Sequence, residues 1–267
     1  MREARITAPA LRRMKRCGEK IVMLTAYDFP FARILDGAGV DVLLVGDSLG
    51  TVVQGHPTTL PVTLDEMVYH CRMVARASGH ALVVGDMPFG SYQTSIDDAL
   101  AAACRLIKDG GAHSVKLEGG ERMADRIAAI ARMDIPVMGH IGLTPQSVHR
   151  MGGYRVQGRG ERGHEQVLAD ARAVQDAGAF SVVLEGIPAA LAAEVTASLE
   201  IPTIGIGAGL GCDGQVLVLH DLLGLSPEPA PRFARQYVNL AEIVERAARM
   251  YGEDVRQQKF PGDHEAY

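Results

Sequence analysis

The sequence predicts an α/β fold, a single-domain (β/α)8 TIM barrel, on three observations. Eight short β-rich runs are spread along 267 residues, with amphipathic helical patterns between most of them, as parallel βαβ units require. Three stretches, LDGAGVDVLLVGD, KDGGAHSVKLEGG and QDAGAFSVVLEGI, repeat one plan: a helix ends at an Asp-Gly or Asp-Ala-Gly turn, and a short strand follows with an acid at or near its end. Glycine there supplies the left-handed cap that turns a helix back into a strand. Four runs stop on a carboxylate, at Asp47, Asp86, Glu118 and Glu185, and a fifth, IPVMGH, closes on His140. Short β-branched runs bounded by glycine are what buried parallel strands look like. An open doubly wound sheet is the alternative, but no GxGxxG follows the first run.

In chain order, Thr7 followed by Pro9 and ALRRMK predicts a short capped helix. Basic residues surround it (Arg2, Arg5, Arg12, Arg13, Lys15, Arg16, Lys20), without the apolar stretch of a secretory signal. The strands are KIVMLTA, VDVLLVG, HALVVGD, HSVKLE, IPVMGH, FSVVLE, IPTIGIG and GQVLVLH. Helical patterns between them include LDEMVYHCRMVARAS, SIDDALAAACRLIKDG, ERMADRIAAIARM, HEQVLADARAVQDAG and PAALAAEVTASLE. From about residue 226 a proline-rich link leads into a last helix, which either covers the barrel or packs on a neighbouring subunit. The predicted organisation is one barrel domain over 1–267, with a short N-terminal helix and a C-terminal helical extension from about 226.

Composition narrows the function classes. A hydrophobic content of 47% sustains one large core, and a formal net charge of -5 argues against a broad basic face for nucleic acid. Cys17, Cys71, Cys104 and Cys212 are far apart with no CxxC pair, which predicts ordinary thiols. No apolar run is long enough to cross a bilayer, so a soluble, cytoplasmic protein is expected.

In a barrel of parallel strands all carboxyl ends meet at one face, where active sites of this fold sit. Asp47, Asp86, Glu118, His140 and Glu185 therefore converge there. Lys116 lies two residues before Glu118, on the same face of its strand, and a buried lysine needs these acids as partners. Any one acid alone reads more readily as a helix cap in a βα turn, and the four together do not. Hard oxygen ligands without a Cys/His cluster favour magnesium or manganese over zinc. With two acids on the metal, a further carboxylate apart from the ion has the environment of a general base.

Four loops are left open. GHPTTLPVTLDEM is either a lid or a long connection, and MGGYRVQGRG either lines an anionic substrate's route with Arg155 and Arg159 or is solvated. DMPFGSY reads as a packed rim, and GIGAGLGCDGQ is weak evidence for an anion site.

The strings KIVMLTAYDFPFA, VLLVGDSLG, GHPTTLPVTLDEMVYH, VVGDMPFGSY, SVKLEGG, PVMGHIGLTPQSV, GGYRVQGRG, IPTIGIGAG and CDGQVLVLHDLLG closely resemble the ketopantoate hydroxymethyltransferase family, collinearly from about residue 5 to 225. The resemblance implies a barrel of the phosphoenolpyruvate mutase and isocitrate lyase type, assembled as a homodecamer. It implies the first step of pantothenate synthesis: transfer of a one-carbon unit from the co-substrate 5,10-methylenetetrahydrofolate to 3-methyl-2-oxobutanoate, giving 2-dehydropantoate. By the same resemblance Asp47 and Asp86 would bind one magnesium ion per subunit and lie against the substrate, and Glu118 would hold the ion directly or through water. Ser48 and Lys116 would contact the substrate carboxylate, His140 would sit near the reacting carbon, and Glu185 would accept the proton. Leu210 stands where the family often has proline. A carbon-carbon lyase or phosphonomutase on the same barrel is the main rival, though a lyase's KKCGH-type string is absent. A non-catalytic binding barrel would be expected to have lost a base such as Glu185.

Overall fold

The computed structural model describes residues 5–226 and 231–267. Arg2 and residues 227–230 of the predicted proline-rich link lie outside the described residues. The chain divides into two compact units, Met1–Val218 and Leu219–Tyr267.

The first unit is a closed barrel of eight parallel strands in chain order. They are β1 (Ile21–Thr25), β2 (Val42–Val45), β3 (Leu82–Asp86), β4 (Ser114–Glu118), β5 (Val137–Gly142), β6 (Ser181–Glu185), β7 (Thr203–Ile206) and β8 (Gly214–Leu217). All eight predicted runs are strands, and β8 pairs back onto β1. The helices between them bury one stripe each. Leu64–Ala77, for example, turns Met67, Val68, Cys71 and Val74 inward. Its start is a capping box, with Thr63 Oγ1 accepting from Glu66 N and Glu66 Oε2 accepting from Thr63 N at 2.7 Å. The preceding GHPTTLPV segment also buries Thr59 and Val62, so this long connection is tethered at its end.

Inside the barrel the side chains change character from bottom to top. Ile21 and Met23, Val42 and Leu44, Leu82 and Val84, Ile204 and Val216 form the lower core with Met138 and Val183. The next inward residues on β3, β5 and β6 are Asp86, His140 and Glu185, and β4 adds Lys116 and Glu118 at the same end. Period two thus delivers oil below and charge above.

The bottom is closed by helix α1 (Ala8–Cys17), which starts as expected with Thr7 accepting from Ala10 N and stops at the left-handed Gly18. Ala8 and Leu11 join the barrel core, with Ile6 and Met14 packed against it. Arg12 donates to Ala179 O at 3.1 Å, and Lys15 pairs with Asp213 at 2.9 Å, both in turns that lead into strands.

The second unit holds a one-turn helix, Leu219–Leu223, and a long helix, Leu240–Arg256, capped by Asn239. No residue of the long helix is buried, and Ile243, Val244, Met250, Tyr251 and Val255 are exposed.

Candidate active site

Strand register explains how the predicted residues meet. Asp86 pairs with Lys116, Glu118 with His140, and Glu185 with Gly142, so neighbouring strands lift these side chains to one rim. Asp47 lies two residues past β2, where its backbone N–H donates to Asp86 Oδ2 at 3.2 Å. Gly142 is required at its place: its φ is +89°, and a Cβ there would lie 2.4 Å from the Glu185 carbonyl oxygen.

Asp47, Asp86, Lys116, Glu118 and His140 are all buried. Lys116 Nζ sits 2.9 Å from Asp86 Oδ1 and 3.3 Å from His140 Nδ1. Burial works against its charge, but Asp86, Glu118 and Asp47 outweigh burial and raise its pKa. Burial also drives Asp47 well above the usual carboxylate range, helped by repulsion from Asp86 and Glu118, and burial raises Asp86.

His140 faces Glu118 Oε1 at 3.5 Å through Nδ1 and Glu185 Oε2 at 3.1 Å through Nε2. Burial and the Lys116 cation oppose a charged ring, yet the two glutamates push its pKa up to about 9. The Lys116 contact favours the opposite state, since an ammonium is attracted to Nδ1 only when that nitrogen is bare. Both demands agree on one point: the cation and the neutral ε-tautomer alike carry a proton on Nε2, facing Glu185.

Glu185 differs from the other acids in access. Its side chain is 14% exposed, against 3% for Glu118 and 2% for Asp86. Ser48 begins the one-turn helix Leu49–Val52 without capping it, and its hydroxyl instead bonds Tyr27 OH at 2.8 Å.

Asp47, Asp86 and Glu118 crowd around Lys116, with His140 as a second basic group among them. Glu118 Oε1 is buried without a hydrogen bond, and Asp86 Oδ1 has only its ion pair with Lys116. These hard oxygens fit a divalent cation. Among the described residues no three His, Cys, Asp or Glu side chains form a group that could hold a metal ion. An ion held by one or two carboxylates, with its other positions left to substrate and water, needs no such group.

Sequence reasoning assigned no role to Gln146 or Tyr92. Tyr92 OH accepts from Glu118 N at 3.0 Å and donates to Gln146 Oε1 at 2.7 Å, while Gln146 Nε2 donates to Asp47 Oδ2 at 2.9 Å. Both stood in quoted strings, GSY and TPQS, but neither periodicity nor charge marks a neutral side chain in a βα turn. A separate cleft of about 380 Å³ lies beyond Gly119 and Gly142, with Arg122, Arg150, Gln166 and Asp170 in its walls. The MGGYRVQGRG segment supplies Met151, Gln157 and Gly158 to that wall, while Arg155 and Arg159 are exposed and do not line it. Cys17, Cys71, Cys104 and Cys212 are free.

The barrel is shared with solved structures of low identity. Phosphonopyruvate hydrolase, in complex with oxalate and Mg++, superposes with a TM-score of 0.61 at 14% identity, covering 97% of this chain and 92% of its own. A 2,3-dimethylmalate lyase of the PEP mutase/isocitrate lyase superfamily gives 0.60 at 20%, covering 96% and 86%. Sequence relatives are much nearer. A 3-methyl-2-oxobutanoate hydroxymethyltransferase of Syntrophotalea carbinolica is 57% identical over 99% of both chains, and one of Moorella thermoacetica is 55% identical over 99% of this chain and 98% of its own. The model of the family described as ketopantoate hydroxymethyltransferase matches residues 5–263. A match that runs through the whole barrel and on into the second unit goes beyond a shared fold: the chain belongs to the ketopantoate hydroxymethyltransferase family.

Proposed function

We propose that this chain transfers a hydroxymethyl group from 5,10-methylenetetrahydrofolate to 3-methyl-2-oxobutanoate, giving 2-dehydropantoate, the first step of pantothenate biosynthesis. Relatives of that name, more than half identical along the whole chain, support the reaction. The observation that carries the mechanism is the contrast between buried acids around Lys116 and the more accessible Glu185, held by His140.

Asp47 and Asp86 would hold one magnesium ion, with Glu118 supporting it directly or through water. When bound, that ion supplies Lewis acidity toward the 2-oxo acid. Lys116 has three donor hydrogens, two of them directed at Asp86 and His140, and the third is left for the substrate carboxylate together with the Ser48 hydroxyl. Glu185 removes the proton from the carbon beyond the ketone, with His140 Nε2 3.1 Å from the carboxylate that does so. The resulting carbon nucleophile bonds to the methylene carbon, water supplies the hydroxyl oxygen, and tetrahydrofolate leaves. Incubating the protein with both substrates and magnesium should yield 2-dehydropantoate by mass spectrometry; no product under these conditions would reject the assignment.

The raised acids give the metal reading a pH signature. Asp47 and Asp86 have folded pKa values above their unfolded ones, so the metal-free fold binds more protons than the unfolded chain. Their contribution to stability is therefore lost as pH rises through those raised values. An ion that replaces the protons restores it, so the melting-temperature gain from added magnesium should grow from about pH 5 to about pH 8. A gain that does not change over that range would argue against carboxylate ligation.

We further propose one functional domain over 1–267 that assembles as a homo-oligomer, a decamer by family resemblance. The exposed apolar side chains of Leu240–Arg256 support the C-terminal extension as an assembly element. No helix among the described residues is long and apolar enough to cross a membrane. Small soluble substrates fit a cytoplasmic location.

A further inference from the structure

Gln146 is 6% exposed, and every hydrogen-bonding group it has toward the site is committed. Its Nε2 donates to Asp47 Oδ2 at 2.9 Å and to Met87 O at 3.0 Å. Its Oε1 accepts from Tyr92 OH at 2.7 Å and Gln93 Nε2 at 2.9 Å, and its backbone N–H donates to Glu118 Oε2 at 3.0 Å. A flipped amide would set an oxygen against the Asp47 carboxylate and the Met87 carbonyl, and an NH2 against the Gln93 amide. The network therefore permits one orientation.

The consequence lies in what Gln146 leaves open. One oxygen is taken from each of two acids, one at the end of β4 and one just past β2, while Glu118 Oε1 is buried without a hydrogen bond and Asp47 Oδ1 accepts none among the described residues. Asp47 and Glu118 each then keep one oxygen free of hydrogen bonds for a cation, while the other carries a hydrogen bond that competes with a second metal contact. Calcium takes more ligands than magnesium and readily uses both oxygens of a carboxylate, whereas magnesium needs few protein carboxylates and a small shell.

We propose that Gln146 is a positioning residue that sets divalent-ion selectivity, blocking Asp47 Oδ2 so that the site favours magnesium over calcium. This rests on the reading that Asp47, Asp86 and Glu118 hold a divalent ion. The Gln146→Leu substitution frees Asp47 Oδ2 and leaves the main-chain bond to Glu118 in place.

The test is calorimetric titration of chelator-treated protein with magnesium and, separately, calcium. In Gln146→Leu, magnesium affinity should fall about 10- to 100-fold, the range for lost outer-shell partners. Calcium affinity should fall less or rise, so that the ratio of the two moves toward calcium. A purely structural role would weaken both ions alike or lower only the melting temperature; an unchanged ratio overturns the inference. Tyr92→Phe removes one of the two donors that orient the amide and should move the ratio the same way by less. If Gln146→Leu does not fold by circular dichroism, an unmoved ratio in Tyr92→Phe overturns the inference by itself. Wild-type protein that binds neither ion rejects the metal reading and the inference together, whereas magnesium binding with an unmoved ratio rejects the inference alone.

Discussion

Replacing Glu185 with glutamine is expected to lower turnover by about 10²- to 10⁴-fold, the usual contribution of a positioned general base, while leaving 2-oxo acid binding intact. Glutamine matches glutamate in shape and can set its amide oxygen where the carboxylate oxygen faces His140 Nε2 at 3.1 Å, so the rim keeps its form. Only proton acceptance is lost. The direct readout is exchange of the substrate's C3 proton with deuterated water, followed by NMR without the folate, because that isolates the first chemical step. Exchange at the wild-type rate would assign the base elsewhere. Loss of exchange together with loss of substrate binding would instead mean that Glu185 anchors the substrate.

The second large effect is expected at Lys116. Its ammonium sits 2.9 Å from Asp86 and is the lysine around which Asp47, Asp86 and Glu118 are buried. Lys116→Met keeps the length and removes the charge. Breaking a buried pair by deleting one partner typically costs about 3 to 5 kcal/mol, because the other charge is left uncompensated. Here the cost should depend on pH. Without the cation, the already raised Asp47 and Asp86 move higher still, so the variant folds best with both acids protonated and weakens as pH rises. In the wild type, the raised Lys116 contribution is fully present below its unfolded pKa and is lost only when pH climbs through the folded value. The stability gap between the two proteins should therefore be wider near pH 8 than near pH 5, and the KM for the 2-oxo acid should rise. Denaturation curves offset equally at both pH values would remove Lys116 from the role of counter-charge.

Strand-end acids were visible in the sequence because two independent periodicities coincide on them. Each closes an apolar run of strand length, and Asp47, Glu118 and Glu185 also follow a helix that stops at glycine, so the four acids could be set on one rim from local pattern alone. Lys116 followed from its spacing to Glu118. His140 was less determined, since β5 continues two residues past it to Gly142 and its partners on β4 and β6 are fixed only by barrel register. Gln146 and Tyr92 were illegible for a different reason. They are uncharged, they stand in connections without a repeat, and their importance comes from hydrogen bonds to residues 99 and 26 positions away. Nothing local in the sequence encodes such pairings.

Helix α1 constrains the order in which the molecule can be made. It precedes every strand in the chain, yet the carbonyl of Ala179 and the carboxylate of Asp213 that receive Arg12 and Lys15 are 167 and 198 residues further on. During synthesis the floor of the barrel emerges first and must wait for nearly the last strand before it can dock. Until then Leu11 and Met14 have no cavity to fill, and the loops to be closed are among the longest the chain contains. Ring closure and floor docking thus become one late event, so a half-made chain carries an unsealed hydrophobic bore. The same topology predicts that a circular permutant opened between α1 and β1, with α1 moved behind β8, would shorten that wait.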